Sequence, residues 1–182
     1  MLASANSIYS CTLKTPVTFS PAMATFDTPN PDFAVRVRHS FARQPFMEYV
    51  GAVLEKVNAG AVDVFLPYRS QLTQQHGFFH GGVIATVADN AGAYAAFTLA
   101  PTSASILTVE FKVSLLSPGS GDGLIGRGRV IKPGRTLVVS RADVHVRSGD
   151  CEKLIATALV TLMLLEGHDD APTGKAPTGD EK

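Results

Sequence analysis

His80-Gly81-Gly82-Val83-Ile84-Ala85-Thr86-Val87-Ala88-Asp89-Asn90-Ala91-Gly92-Ala93-Tyr94-Ala95-Ala96-Phe97-Thr98-Leu99-Ala100 is the stretch whose reading decides the fold. Advancing 100° per residue from Gly81, a helix places Val83, Ile84, Val87, Tyr94 and Phe97 on one side and Gly81, Gly82, Ala85, Asp89, Gly92, Ala93 and Ala96 on the other. The bulky side can bury itself against a sheet. The bare side lets something else approach closely, with a solitary carboxylate, Asp89, near its middle. Two readings of that carboxylate stand side by side: chemistry in a cleft, or a bond to the backbone of a tightly packed neighbour. The stretch from Gly81 to Ala100 nears the length of a bilayer span, about twenty residues. Its alanines and glycines carry little transfer energy, however, and Asp89-Asn90 at its centre would be costly in lipid.

Working outward, Ile106 to Leu115 alternates, with Leu107, Val109, Phe111, Val113 and Leu115 on one side and Thr108, Glu110, Lys112 and Ser114 on the other. That pattern predicts a strand with one buried face. Leu124 to Ile131, Thr136 to Val146 and Lys153 to Leu165 follow as further strands, separated by the turn sequences Lys132-Pro133-Gly134-Arg135 and Ser148-Gly149-Asp150. Upstream, Ala52 to Val57 and Val62 to Pro67 are joined by hairpin chemistry at Asn58-Ala59-Gly60. Before them, Asp32 to Arg43 sets Phe33, Val37 and Phe41 at helical spacing, with Asp32 as N-cap and Gln44-Pro45 as stop. A short helix, two strands, one long helix and four strands argue for an α+β fold rather than βαβ repeats.

The whole chain has 182 residues, enough for one domain with a core. It is 45% hydrophobic and 18% charged, against roughly 25% charged in an average soluble protein, which excludes disorder along most of its length. Sixteen basic residues balance sixteen acidic ones, so the strongly basic footprint of a nucleic-acid binder is missing. Two cysteines, Cys11 and Cys151, without a CxxC, and five scattered histidines give neither a disulfide framework nor metal-ligand spacing. A reducing, cytoplasmic compartment is the expectation, with no metal or redox cofactor. Residues 1 to 22 lack the basic start and apolar run of a secretory signal. Met23 opens a segment leading directly into the first regular pattern, so residues 1 to 22 read as a mobile extension or an early start. The domain is expected over residues 31–165, after a flexible 1–30 and before a polar tail, 166–182, with a repeated Ala-Pro-Thr-Gly.

Chemistry concentrates at the long helix. Gly81-Gly82 after His80 puts unblocked N–H groups at a helix N-terminus, where the first four donors lack intrahelical partners and the dipole favours negative charge. Such a terminus can receive an oxyanion. Asp89 lies eight residues on, about 12 Å along the axis at 1.5 Å per residue, too far for one thioester carbonyl to meet both groups of one helix. Two antiparallel copies would bring the N-terminus of one helix to Asp89 of the other, giving two sites per dimer.

His80-Gly81-Gly82 with Asp89 nine positions after the histidine, then Leu107-Thr108-Val109-Glu110-Phe111, then Lys132-Pro133-Gly134-Arg135-Thr136-Leu137, resembles the hotdog-fold acyl-CoA thioesterases of the phenylacetate-degradation (PaaI-like) type. The resemblance covers about residues 32 to 165. It implies a long central helix wrapped by a curved antiparallel sheet of five to six strands, pairing into homodimers and often homotetramers, and hydrolysis of acyl-CoA to free acid and CoA. Asp89 would be general base or nucleophile, and the Gly81 amide would polarise the thioester carbonyl. Gln74 stands where many members carry a substrate-orienting asparagine, one methylene longer. Thr108 matches a small hydroxyl residue that positions water in some members, although it lies opposite the bulky row of its strand and is equally an ordinary strand threonine.

His80 is either a base or a residue that caps the helix and braces the loop, and His76 is a weaker version of the same case. Gly82 and Phe79 complete the expected substrate contacts, with Phe78 and Tyr94 as further apolar neighbours of a medium, long or aromatic acyl group. Lys132 and Arg135, with Arg129 beside them, could hold the coenzyme's phosphates or simply be a solvated hairpin tip. His39, His145 and His168 read as solvated. Two rival classes share the architecture: an enoyl-CoA hydratase or dehydratase, and a non-catalytic acyl-CoA-binding module.

Overall fold

Residues 26–168 of the chain are described in a computed structural model. The elements are α1 (Phe33–Ala42), α2 (Pro45–Val50), β1 (Val53–Asn58), β2 (Ala61–Pro67), a 3-10 turn (Ser70–Leu72), α3 (Gly81–Phe97), β3 (Ala104–Leu115), β4 (Gly123–Lys132), β5 (Leu137–Ser148) and β6 (Cys151–Glu166). The six strands form one antiparallel sheet in the order β1-β2-β4-β5-β6-β3. Helix α3 packs across β2, β3, β4, β5 and β6. The core is the layer between them: Val62, Val64 and Leu66 from β2, Leu124 from β4, Val138 and Val144 from β5, Val160 and Leu162 from β6, against Ile84, Val87, Ala91 and Phe97 of α3.

The contact of α3 with β4 is set by two glycines. A Cβ on Gly126 would come within 2.7 Å of Val87 Cγ1, and one on Gly128 would overlap the Ala91 carbonyl oxygen. Bare strand positions therefore bring the helix backbone down onto the sheet. This corrects one expectation about the helix. Gly92, Ala93 and Ala96, read as part of an open bare side, are covered, and a Cβ on Gly92 would lie 2.8 Å from Val160 Cγ2. Only the N-terminal half of the bare side, with Gly81, Gly82, Ala85 and Asp89, keeps access to solvent.

Two further corrections concern the ends of the pattern. The expected stop at Gln44-Pro45 is also a start: Pro45 occupies the first position of α2, where its missing N–H costs nothing and its fixed φ suits a helix. The single buried face expected for β3 is broken by a bulge between Thr108 and Glu110. Upstream of it Thr108 pairs with the buried Leu162; downstream Phe111, Val113 and Leu115 pair with the buried Val160, Ala158 and Ala156. The bulge thus puts Thr108 on the same inner face as Phe111 and Leu115, and sends Leu107, 56% exposed, to the outer face.

The last five residues of the expected extension are anchored. Phe26 packs on the core, and Thr28 donates to the Thr98 carbonyl at 3.0 Å. The readings of Met23, of Cys11 and of the tail beyond residue 168 lie outside the described residues. Helix α1 also closes α3: Arg36 donates to the carbonyls of Pro101 at 2.7 Å and of Ala104, with its guanidinium 4.2 Å from the Phe97 ring centre. No helix among the described residues is long and apolar enough to cross a membrane.

Because a methyl group at position 128 has no room short of lifting α3, Gly128→Ala should destabilise the fold by about 2–3 kcal/mol. Chemical denaturation checks this, and an unchanged midpoint would contradict the close helix–sheet contact.

Candidate functional site

Asp89 is half-buried on α3, facing the inner side of β3, and Thr108 Oγ1 donates to its Oδ1 at 2.9 Å. The bulge makes that bond possible, since an unbroken alternation sharing the inner face of Phe111 and Val113 would turn Thr108 outward. Burial raises the Asp89 pKa above its ordinary value, and the Thr108 hydroxyl lowers it in opposition.

At the start of α3 the capping question is resolved. His80 is the N-cap, and its Nδ1 accepts from the Gly82 N–H at 2.9 Å. The ring lies so close that a Cβ on Gly82 would sit 3.1 Å from Nδ1, which is why position 82 is glycine. The N–H groups of Val83 and Ile84 both donate to the His80 carbonyl, at 3.0 and 3.1 Å. Among the described residues only the Gly81 N–H of these first donors has no acceptor. Leu115 from the inner face of β3 lies against it, 3.3 Å from where a Gly81 Cβ would stand. Leu115 is about half exposed there, as are Phe111 on the same face of β3 and Leu116 just after the strand.

The remaining expected residues are dispersed. Gln74 is half-buried and serves its own turn: its side-chain oxygen accepts from the His76 N–H and its backbone N–H donates to the Phe78 carbonyl at 2.8 Å. His76 is exposed. Phe79, expected against the substrate, is 3% exposed and packs edge-on to Tyr68 at 5.7 Å between ring centres. Its place is the core. Tyr94 is likewise buried, between Phe41 and Phe97. Phe78, half-buried, is the member of that apolar set with access to solvent. Lys132 and Arg135 are exposed at the β4–β5 turn, where Arg135, Thr136, Leu164 and Glu166 line a shallow pocket. Arg129 belongs elsewhere, in an ion pair with the buried Asp63 at 2.8 Å. His145, expected to be solvated, is half-buried on β5; burial and the nearby Arg127 push its pKa down while Glu152 and Asp143 oppose.

Sequence reasoning missed a polar cluster beside Asp89. Gln44 Nε2 donates to Asn90 Oδ1 at 3.1 Å and to the Tyr94 hydroxyl at 2.9 Å; Tyr94 also meets Ser40 Oγ at 3.1 Å, and Asn90 Nδ2 donates to the Thr86 carbonyl at 3.1 Å. The available signal was Asn90 itself, a polar residue on a helix otherwise made of small and apolar ones.

A long helix wrapped by a six-stranded antiparallel sheet, with one accessible carboxylate on it, defines a hotdog-fold protein of the thioesterase type. The chain belongs to the thioesterase superfamily, whose sequence profile matches residues 76–153. It is 47% identical to a thioesterase family protein from Silicibacter pomeroyi, over 74% of this chain and 99% of that one, with a TM-score of 0.73. A Halobacterium salinarum protein provisionally named an esterase is 32% identical over 103 residues, 54% of this chain and 68% of the relative. The PaaI protein of the Escherichia coli phenylacetic acid degradation operon shares the fold at a TM-score of 0.69 and 18% identity, over 78% of this chain and 99% of that one.

The Asp89 carboxyl ionises less readily in the folded chain than in the unfolded one. Its contribution to stability is therefore present below the ordinary carboxylate pKa and is lost as pH rises through the raised value. Asp89→Asn, which can still accept from Thr108, should melt higher than the native chain at pH 7, with the gap closing below about pH 4. Paired thermal melts across pH test this; a native chain that is the more stable at pH 7 would contradict it.

Proposed function

We propose that the protein is an acyl-CoA thioesterase of the PaaI-like type, hydrolysing an acyl-CoA to free acid and CoA. The observation that carries the reading is Asp89: a half-buried carboxylate held by one hydroxyl on the open half of α3, kept more basic than usual by desolvation. A carboxylate so placed can accept a proton from an attacking water, or attack the carbonyl itself to form a transient anhydride. Thr108 fixes the oxygen it binds, leaving the other for that work. The Gly81 N–H supplies the second element, an uncommitted donor at a helix N-terminus that can bind the carbonyl oxygen as it becomes an oxyanion.

The two groups are about 12 Å apart along one helix. A shared site therefore needs a second copy running antiparallel, with Gly81 of one chain opposite Asp89 of the other. The exposed apolar Leu115 against Gly81, with Phe111 and Leu116 exposed on and just after the same strand, supports an interface along β3, and a tetramer would pair such dimers. Lys132 and Arg135 are the cations proposed for the phosphates of CoA, and Phe78 for contact with the acyl group. The hydratase reading requires a histidine facing the substrate with the acid. His80 is instead occupied as the helix cap, which favours hydrolysis.

Thiol release from a panel of acyl-CoA esters tests the reading. Asp89→Asn should lower kcat by at least about a hundredfold, within the range general-base catalysis contributes, with KM little changed. Turnover equal to the native protein's in that variant would remove Asp89 from the chemistry, and tight binding without thiol release in the native chain would favour the binding module.

A further inference from the structure

We infer that Gln44 is a positioning residue for Asp89: by holding Asn90 it fixes the rotation of α3 about its own axis at the turn that bears the carboxylate. The inference rests on the thioesterase reading and concerns the same site.

The need for such a brace follows from how α3 meets the sheet. Over β4 its contact surface is Val87, Ala91 and Gly92, set on Gly126 and Gly128. At Gly128, where only Ala91 and Gly92 meet the strand, the two backbones come together closely and offer few side-chain knobs to lock into holes and resist rolling. At the turn carrying Asp89, two hydrogen-bonded struts come from different elements. Thr108 of β3 reaches Asp89 at 2.9 Å, and Gln44, between α1 and α2, reaches Asn90 at 3.1 Å. Consecutive helix residues point about 100° apart, so the two struts grip the helix from different directions and together oppose rolling either way.

Gln44 is itself well fixed. Its carbonyl accepts the Glu48 N–H as α2 begins, at 3.1 Å, and its side chain is shared with Tyr94, which Ser40 of α1 also engages. Asn90 relays the hold to the helix backbone through the Thr86 carbonyl.

The leverage is considerable. A roll of about 10° displaces an atom about 6 Å from the helix axis by about 1 Å, and misplacement on that scale can cost up to about a hundredfold in rate. Gln44 would act on kcat and not on the affinity for substrate, because it reaches the carboxylate only through Asn90.

The test compares acyl-CoA turnover and thermal melting of the native protein, Gln44→Met and Tyr94→Phe. Gln44→Met keeps the length of the side chain and removes both donated bonds; it should lower kcat about tenfold, with KM within twofold, at temperatures where melting shows it folded. Tyr94→Phe leaves the Gln44–Asn90 bond in place and should keep kcat within about twofold. A Gln44→Met enzyme with native kcat overturns the inference. So does a Tyr94→Phe enzyme as slow as Gln44→Met, since the effect would then belong to the buried cluster at large. Should Gln44→Met fail to fold, Gln44→Asn, which stays polar but falls short of Asn90, takes its place with the same expected and overturning results. An inactive native protein defeats the thioesterase reading and this inference with it, whereas an active native protein and an equally active Gln44 variant defeat this inference alone.

Discussion

The structure depends on the closeness of one helix to one strand. Gly126 and Gly128 remove two side chains from the inner face of β4, and Val87 and Ala91 of α3 occupy the space. With the backbones in near contact, the rest of the sheet can reach the helix from both sides. Val62, Val64 and Leu66 of β2 close on one flank, and Val160 and Leu162 of β6 on the other. A larger residue at either glycine would lift the helix along its whole length, because packed interiors leave little slack for local relief. The same contact makes α3 the element to which all others are referred: Arg36 of α1 closes its C-terminal end, Gln44 braces its middle, and His80 caps its start.

That arrangement leaves an open end, and its position is a consequence of strand order. The edge strand β3 pairs with β6 alone. Along it the inner-facing Phe111 and Leu115 are about half exposed, and Leu115 lies beside the N-terminus of α3. The outer face at the opposite edge is finished differently. There Arg147 reaches across β4 and β2 to Glu55 at 2.7 and 3.0 Å, Arg127 pairs with Glu152 at 2.6 Å, and Arg129 with Asp63 at 2.8 Å. Three arginines and three carboxylates are paired across strands in this lattice. One edge is satisfied within the chain, and the other is apolar and is where the proposed second copy would dock.

Much of the fold was legible because its signals were local. The helix from Gly81, the four strands after it and the hairpin at Asn58-Ala59-Gly60 each announce themselves by period and turn chemistry, and each is present within a residue or two. The misreadings arose where register or tertiary contact decides. A bulge at Val109 shifts β3 by one residue and reverses the faces of everything beyond it, and no composition signal marks such an insertion. Pro45 was a helix stop by rule and a helix start in fact, because the rule does not say which side of a proline the next helix begins. For the candidate site, Asp89 stands out in the sequence as the one carboxylate on a helix of small and apolar residues, and Gly81 as its first residue. Gln44 does not: it lies 46 residues from Asn90, and the bond between them exists only once α1 and α2 fold over α3.

What the site balances is desolvation against reach. For the role proposed for it, Asp89 has to be buried enough for its carboxylate to be a better base than one in water, yet accessible enough for a water or a thioester to meet it. The bare half of α3 provides that compromise. Alanine and glycine around position 89 crowd little and hydrate poorly, so the carboxyl loses solvation without being enclosed. Thr108 limits the effect, since its hydroxyl stabilises the charged form. A purely apolar strand partner would raise the pKa further and reduce the fraction available as base, and a cation would pull it down and weaken its basicity. A single neutral donor lies between these, and the bulge in β3 is the backbone feature that turns that donor toward the helix.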